Sequence, residues 1–211
     1  MSPVPNDPML RPWQIVARGL RLQPPGPPAL VSPAGLSFRV DAGLTLVLGD
    51  EGRGKTVLLR LLAGRATNAE GSLRRGGDEP ACWPDPLRTE DDAMPAIDWL
   101  RAARGRWPRW DDDAADAAIE ALALGPHLEK TLSMLSAGTR RKLGLVEADA
   151  SGAHLTLLDT PFAALDAASR RWLAARLRAA AAGRERAWVV ADYAPPPGVE
   201  AGIVVNAIRL D

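Results

Sequence analysis

A chain of 211 residues, 46% of them hydrophobic, is long enough for a single domain over 1–211, built on one sizeable core with room for a small inserted subdomain. Its 26 basic and 26 acidic residues balance, which excludes the charge excess of a nucleic-acid-binding surface, so no nucleic acid is expected as a partner. The single cysteine, Cys82, excludes an intramolecular disulfide, MSPVPNDPMLRP lacks the pattern of a secretory leader, and no apolar run approaches the roughly 18 to 20 residues of a membrane span; a cytoplasmic protein that meets a membrane only through another chain is expected.

Proline dominates the first dozen residues and QPPGPPALVSPAG, which predicts turns between short strands at WQIVARGLRL and LSFRV. The N-terminal part is therefore expected to be antiparallel β. From Leu44 the run LTLVLG is apolar and unbroken by charge, and it passes through a glycine-rich turn into KTVLLRLLAG, whose leucines recur at helical spacing. Residues 65–90 read as irregular. AMPAIDWLRAARGRW and DDDAADAAIEALAL predict two helices of an α-helical subdomain over about 88–135, the second opening on acids that suit a helix N-terminus. Beyond it the chain returns to α/β alternation: a helix near TRRKLGLVEAD, the strand HLTLLD, a helix at ASRRWLAARLRAAAAG, the strand AWVVADY and a last strand near AGIVVNAIRL. The fold class is α/β, with a largely parallel core sheet.

GDEGRGKT, Gly49 to Thr56, fits the phosphate-loop pattern G-x-x-x-x-G-K-[ST] and lies between the required strand and helix. Gly49, Gly52 and Gly54 let the backbone turn its N–H groups toward phosphate oxygens, Lys55 supplies a point charge for the β- and γ-phosphates, and the Thr56 hydroxyl offers a ligand to Mg²⁺. A bound nucleotide then gives a role to Asp159, the acid at the tip of HLTLLD, which can hold the same Mg²⁺ through its water shell. Standing alone, that acid would read as a cap on the turn at Pro161.

LSAGT, Leu135 to Thr139, resembles the LSGGQ signature of ATP-binding cassette ATPases, and LLDTPFAALD resembles the family's Walker B strand and D-loop, with Asp166 closing the D-loop. Their order and spacing match the family, and the forms LSAG and DxPFxALD are most similar to the ATPase subunit of the haem exporter of cytochrome c biogenesis. The resemblance implies a P-loop NTPase core with an N-terminal antiparallel β subdomain and an α-helical subdomain, and it implies ATP and Mg²⁺ as cofactors. It also implies a transmembrane permease subunit and a second ATPase subunit, identical or different, as partners at the inner face of the cell membrane. Two such subunits close head to tail over two ATP molecules, with Ser136 and the Gly138 N–H at a helix N-terminus meeting the other subunit's γ-phosphate. Alone, LSAGT would read as a helix cap.

Four positions depart from the family. Thr160 stands where the family carries the glutamate that polarises the attacking water; a threonine hydroxyl orients water but is no general base near neutrality, so hydrolysis should be slow or absent. Tyr193 stands where the family has a histidine. The only glutamines are Gln14 and Gln23, so the glutamine-loop position falls near Asp85, a further carboxylate within reach of a metal, and no aromatic marks the adenine-stacking place around Leu22, for which Trp13 or Phe38 are substitutes. Among other features, Trp107 and Trp110 suggest subdomain packing, Arg140, Arg141 and Lys142 a solvated helix face, and Asp111 to Asp113 a helix cap. The expectation is an ATP-binding transporter subunit with weak or absent hydrolysis; the alternatives are a non-catalytic ATP-binding regulator or scaffold and, more remotely, a soluble kinase.

Overall fold

The structure is a computed structural model that describes residues 9–22, 35–66, 70–196, 198–199 and 206–210. The proline-rich turn expected over 23–34 and the first residues of the last predicted strand lie outside these. The chain forms two compact units, one comprising Met1–Ala81, His154–Pro161 and Leu177–Asp211, the other Cys82–Ala153 and Phe162–Arg176.

The first unit holds two sheets. Strands β1 (Ile15–Arg21), β2 (Leu36–Val40) and β4 (Glu70–Arg75) form an antiparallel sheet in the order β2-β1-β4. A bulge interrupts β1 between Ala17 and Leu20; there Gly19 has φ +58°, which favours glycine, and a Cβ on Gly71 would fall 2.4 Å from the Gly19 carbonyl oxygen, so close backbone approach requires glycine at 71. Strand β4 corrects the expectation that 65–90 is irregular. EGSLRR has one buried residue, Leu73, and no apolar alternation, so its strand character comes from pairing with β1 at a sheet edge.

Strands β3 (Gly43–Leu48), β5 (Leu155–Asp159), β6 (Ala187–Asp192) and β7 (Asn206–Arg209) form the second sheet, all parallel, in the order β5-β6-β3-β7. Every residue of β3 is buried, as are the first four of β5 and the first five of β6, which explains why these segments read as continuous apolar runs. Helix α1 (Lys55–Leu62) buries Leu58, Leu59, Leu61 and Leu62 and packs on β5 and β6. It ends where Gly64, at φ +70°, turns the chain, with Gly64 N–H bonded to Leu61 O and Arg65 N–H to Arg60 O. Those two bonds are the usual satisfaction of a helix's last carbonyls by a left-handed glycine.

The second unit contains α2 (Ala96–Arg106), α3 (Asp112–Ala121), α4 (Ala137–Ala150) and the first turns of α5 (Ala167–Ala182). As expected, Asp111 caps α3, its carboxylate accepting the Ala114 N–H at 3.0 Å; Trp107 Nε1 donates at 2.9 Å to Glu147, a carboxylate 3% exposed on α4, beyond the residues expected of the helical subdomain. The solvated face expected for Arg140 and Lys142 is overturned. Arg140 is 9% exposed; its Nε donates to Pro86 O at 2.6 Å, Nη1 to Asp92 Oδ1 at 2.6 Å and Nη2 to Arg88 O at 2.8 Å. A rigid fork of donors fits three acceptors on one loop, which a lysine could not match. Lys142 Nζ reaches Leu122 O at 3.2 Å and Asp166 Oδ2 at 2.6 Å.

The N-terminal turn of α4 is packed so closely that a Cβ on Gly138 would lie 2.3 Å from Ala164 O. Gly138→Ala is therefore expected to destabilise the chain by about 1–3 kcal/mol through overpacking. Arg140→Ala should cost about 2–4 kcal/mol, since it strands two carbonyls and a partly buried carboxylate. Urea unfolding of each variant measures both; a wild-type midpoint for Arg140→Ala would return that side chain to a solvated role.

Candidate functional site

The loop between β3 and α1 is shaped by its glycines. Gly52 and Gly54 have φ of +75° and +90°, and Gly54 immediately precedes the helix with no side-chain cap. The first-turn N–H groups of α1 are thus left for a ligand, and a helix N-terminus favours an anionic one. Space also selects glycine, because a Cβ would meet Leu210 Cβ at 3.1 Å from Gly49 and Leu22 Cδ1 at 3.3 Å from Gly54.

Lys55 is 7% exposed, and its ammonium folds back over the loop, donating to Gly49 O at 2.6 Å and Asp50 O at 2.8 Å. The same nitrogen lies 4.2 Å from the centroid of the Tyr193 ring. Two carbonyls and a π face together compensate the burial of a charge. Thr56, in the first turn of α1, donates its hydroxyl to Asp159 Oδ2 at 2.6 Å. A hydroxyl and a carboxylate meeting at the ends of a helix and a strand are hard oxygen donors that suit Mg²⁺, an ion that takes few protein ligands and keeps several waters. The residues present therefore fit both a polyphosphate and its magnesium ion.

Thr160 follows Asp159 with φ +43°, in the left-handed region that β-branched residues avoid, and its N–H donates to Ala191 O at 2.8 Å. Lys55, Thr56, Asp159, Thr160 and Tyr193 line one cavity of about 350 Å³ with Gly52 and Gly54. Gly49 stands outside that lining, against Leu210. Glu51 also lines the cavity, and sequence reasoning missed it because it occupies an unspecified position of the loop pattern. Of the suggested adenine-stacking aromatics, neither borders the cavity. Trp13 makes an edge contact with His154, 5.9 Å between centroids, just before β5 begins and so at the opposite end of that strand from Asp159. Phe38 pairs with Ala17 in the antiparallel sheet, and Leu22 is buried against Gly54.

The other candidate residues lie in the second unit. Ser136 caps α4, its Oγ accepting the Thr139 N–H at 3.1 Å, next to buried Leu135 and to Gly138. Asp166 caps α5, accepting the Ser169 N–H at 2.8 Å. The Lys142 ammonium, and after it that N–H, hold the Asp166 carboxyl well below the usual carboxylate range. Asp85 is exposed on the loop that Arg140 grips, its carbonyl accepting the Arg88 N–H.

Residues 34–163 match the ABC transporter family. Over 146 residues the chain is 39% identical to the cytochrome c biogenesis ATP-binding export protein CcmA of Rhodospirillum rubrum, covering 64% of this chain and 63% of that protein. The chain thus spans a little under two thirds of that relative's length. Identity to CcmA of Paracoccus denitrificans is 36% over 160 residues, with 75% and 74% covered. It is 34% over 137 residues to the aliphatic sulfonates import ATP-binding protein SsuB 1 of Pseudomonas fluorescens, with 64% and 51% covered. Among solved structures, the ATP-binding subunit of an ABC transporter superposes with a TM-score of 0.70 at 17% identity, covering 86% of this chain and 80% of that one. A bacterial Atm1-family ABC exporter with ATP bound gives a TM-score of 0.65 at 18% identity, covering 90% and 36%. A family match running across more than half of the chain, with these identities and this shared fold, makes the chain a member of the ABC transporter family of ATP-binding subunits.

Proposed function

We propose that the chain binds Mg-ATP in the cavity beside Lys55, closes head to tail with a second ATPase chain, and so drives or gates transport through a separate transmembrane permease, while its own site hydrolyses ATP weakly or not at all. The observation that carries this reading is Thr160. The cavity holds the cation and the oxygen donors of a nucleotide site, yet the position after Asp159 presents a hydroxyl whose backbone is tied to Ala191. Such a group orients water and takes no proton near neutral pH.

In this reading Gly52 and Gly54 shape the loop around the phosphates, Lys55 directs its ammonium to them, and Thr56 and Asp159 hold the metal side. Magnesium, when bound, neutralises charge between the phosphates. Ser136 and Gly138 serve the partner chain's nucleotide, Asp166 fixes the turn beside them, and residues of about 88–135 act as the helical subdomain. Asp85, on the loop locked by Arg140, belongs to the surface that meets the permease at the inner face of the membrane; no helix among the described residues is long and apolar enough to cross a membrane itself. Relatives named for export and for import align with this chain alike, so the direction of transport is set by the membrane partner. A heteromeric assembly, in which the second ATPase chain carries a full catalytic set, accommodates Thr160 and Tyr193 most simply. A non-catalytic regulator would use the same cavity without closure, and Ser136→Arg separates the two readings: it should abolish Mg-ATP-dependent association with the partner chain while leaving ATP binding intact.

Calorimetry with Mg-ATP and phosphate release on the same preparation test the central claim. Lys55→Ala is expected to lower affinity at least about ten-fold, in keeping with the loss of a charge-assisted phosphate contact, and wild-type phosphate release should not exceed that of the lysine variant. Thr160→Glu should raise release by about ten-fold or more, since a positioned base typically contributes ~10²–10⁴-fold. The backbone accepts that change, because an unbranched side chain tolerates positive φ better than threonine. Lysine-dependent turnover in the wild type that Thr160→Glu does not increase would mean that another group activates the water.

A further inference from the structure

The Lys55 ammonium has three protons and three partners. Two protons go to Gly49 O and Asp50 O, and the remaining side of the nitrogen faces the Tyr193 ring at 4.2 Å from its centroid. The tyrosine is held there by its own turn, where Asp192 Oδ1 accepts the Tyr193 N–H at 2.8 Å just past the end of β6. The side chain is 56% exposed, and among the described residues it is the one aromatic lining the cavity. At that exposure the ring is no part of the core. Its contact is with the cation.

We propose that Tyr193 is a positioning residue for Lys55: its ring occupies the face of the ammonium that the loop carbonyls leave open, so the phosphate cradle rests in a self-capped state that an incoming polyphosphate must displace. The inference rests on the nucleotide-binding reading above and adds a determinant of affinity to it. A phosphate oxygen and a π face compete for one compact point charge. Binding therefore exchanges the ring for the anion, and the strength of the ring contact subtracts from the affinity. The aromatic face carries this effect; the hydroxyl has no part in it.

The chain offers a direct readout, since it contains three lysines, Lys55, Lys130 and Lys142, and one tyrosine. With lysine isotopically labelled, the ε-methylene signals of Lys55 in the ligand-free protein should be displaced upfield by the ring current, in the wild type and in Tyr193→Phe but not in Tyr193→Leu. Mg-pyrophosphate and Mg-ATP should remove the displacement. By calorimetry, Tyr193→Leu should bind Mg-pyrophosphate about two- to five-fold more tightly than the wild type, the range expected for loss of an exposed cation–π contact, with Tyr193→Phe unchanged. Normal ATP binding combined with undisplaced Lys55 signals, an unchanged or weaker affinity in Tyr193→Leu, or a Tyr193→Phe that behaves like Tyr193→Leu each overturns the inference alone. Displaced signals that respond to neither ligand, with silent calorimetry in all three proteins, overturn the nucleotide reading itself, and the inference falls with it.

Discussion

Strands β5, β6 and β3 are neighbours in that order, run parallel and are buried on both faces, so a polar side chain can leave them almost only at the tips. Register then places the tips together: Asp159 pairs with Ala191, and Leu48, the last residue before the glycine loop, pairs with Asp192. Each strand hands its next residues to the same end of the sheet. Asp159 and Thr160 come from β5, Tyr193 from the end of β6, and Gly49 to Thr56 from the end of β3. Apolar burial, which carries no chemistry itself, is thus what gathers a cation, a hydroxyl and a carboxylate around one cavity.

The second unit uses its charges differently. Arg140, Lys142, Arg106 and Arg176 are each engaged by acceptors within it, among them the buried carboxylates Glu147 and Asp149. Breaking a buried pair by removing one partner is far more costly than the pair's net contribution, so these contacts fix one arrangement more than they add stability. Arg140 does this for the loop 86–92, tying it to the first turn of α4, while Gly138 brings that turn against Ala164 and Lys142 joins α4 to the cap of α5. Ser136, Asp166 and the loop at Asp85 thereby share one framework.

Much of this was legible in the sequence. Apolar runs foretold β3 and β5, helical spacing foretold α1, and Lys55 and Thr56 of GDEGRGKT line one cavity with Asp159. Strand β4 was hidden because EGSLRR carries no alternation and depends on a neighbour for its pairing. The burial of Arg140 was hidden because RRK at a helix start looks solvated until the tertiary fold brings three acceptors to it. Trp13 looked available for stacking because linear distance says nothing of which end of a strand it meets. Tyr193 was singled out in the sequence as a departure, whereas its contact with Lys55 required geometry.

Several of the side chains and one backbone group around the cavity have internal partners, while the first-turn N–H groups of α1 are left open. Lys55 rests on two carbonyls and a ring, the Thr56 hydroxyl on Asp159, and the Thr160 N–H on Ala191. A phosphate or metal that takes Lys55, Thr56 or Asp159 replaces contacts already made, so those groups add less to binding than their number suggests. A pocket that exchanges interactions in this way favours reversible occupancy.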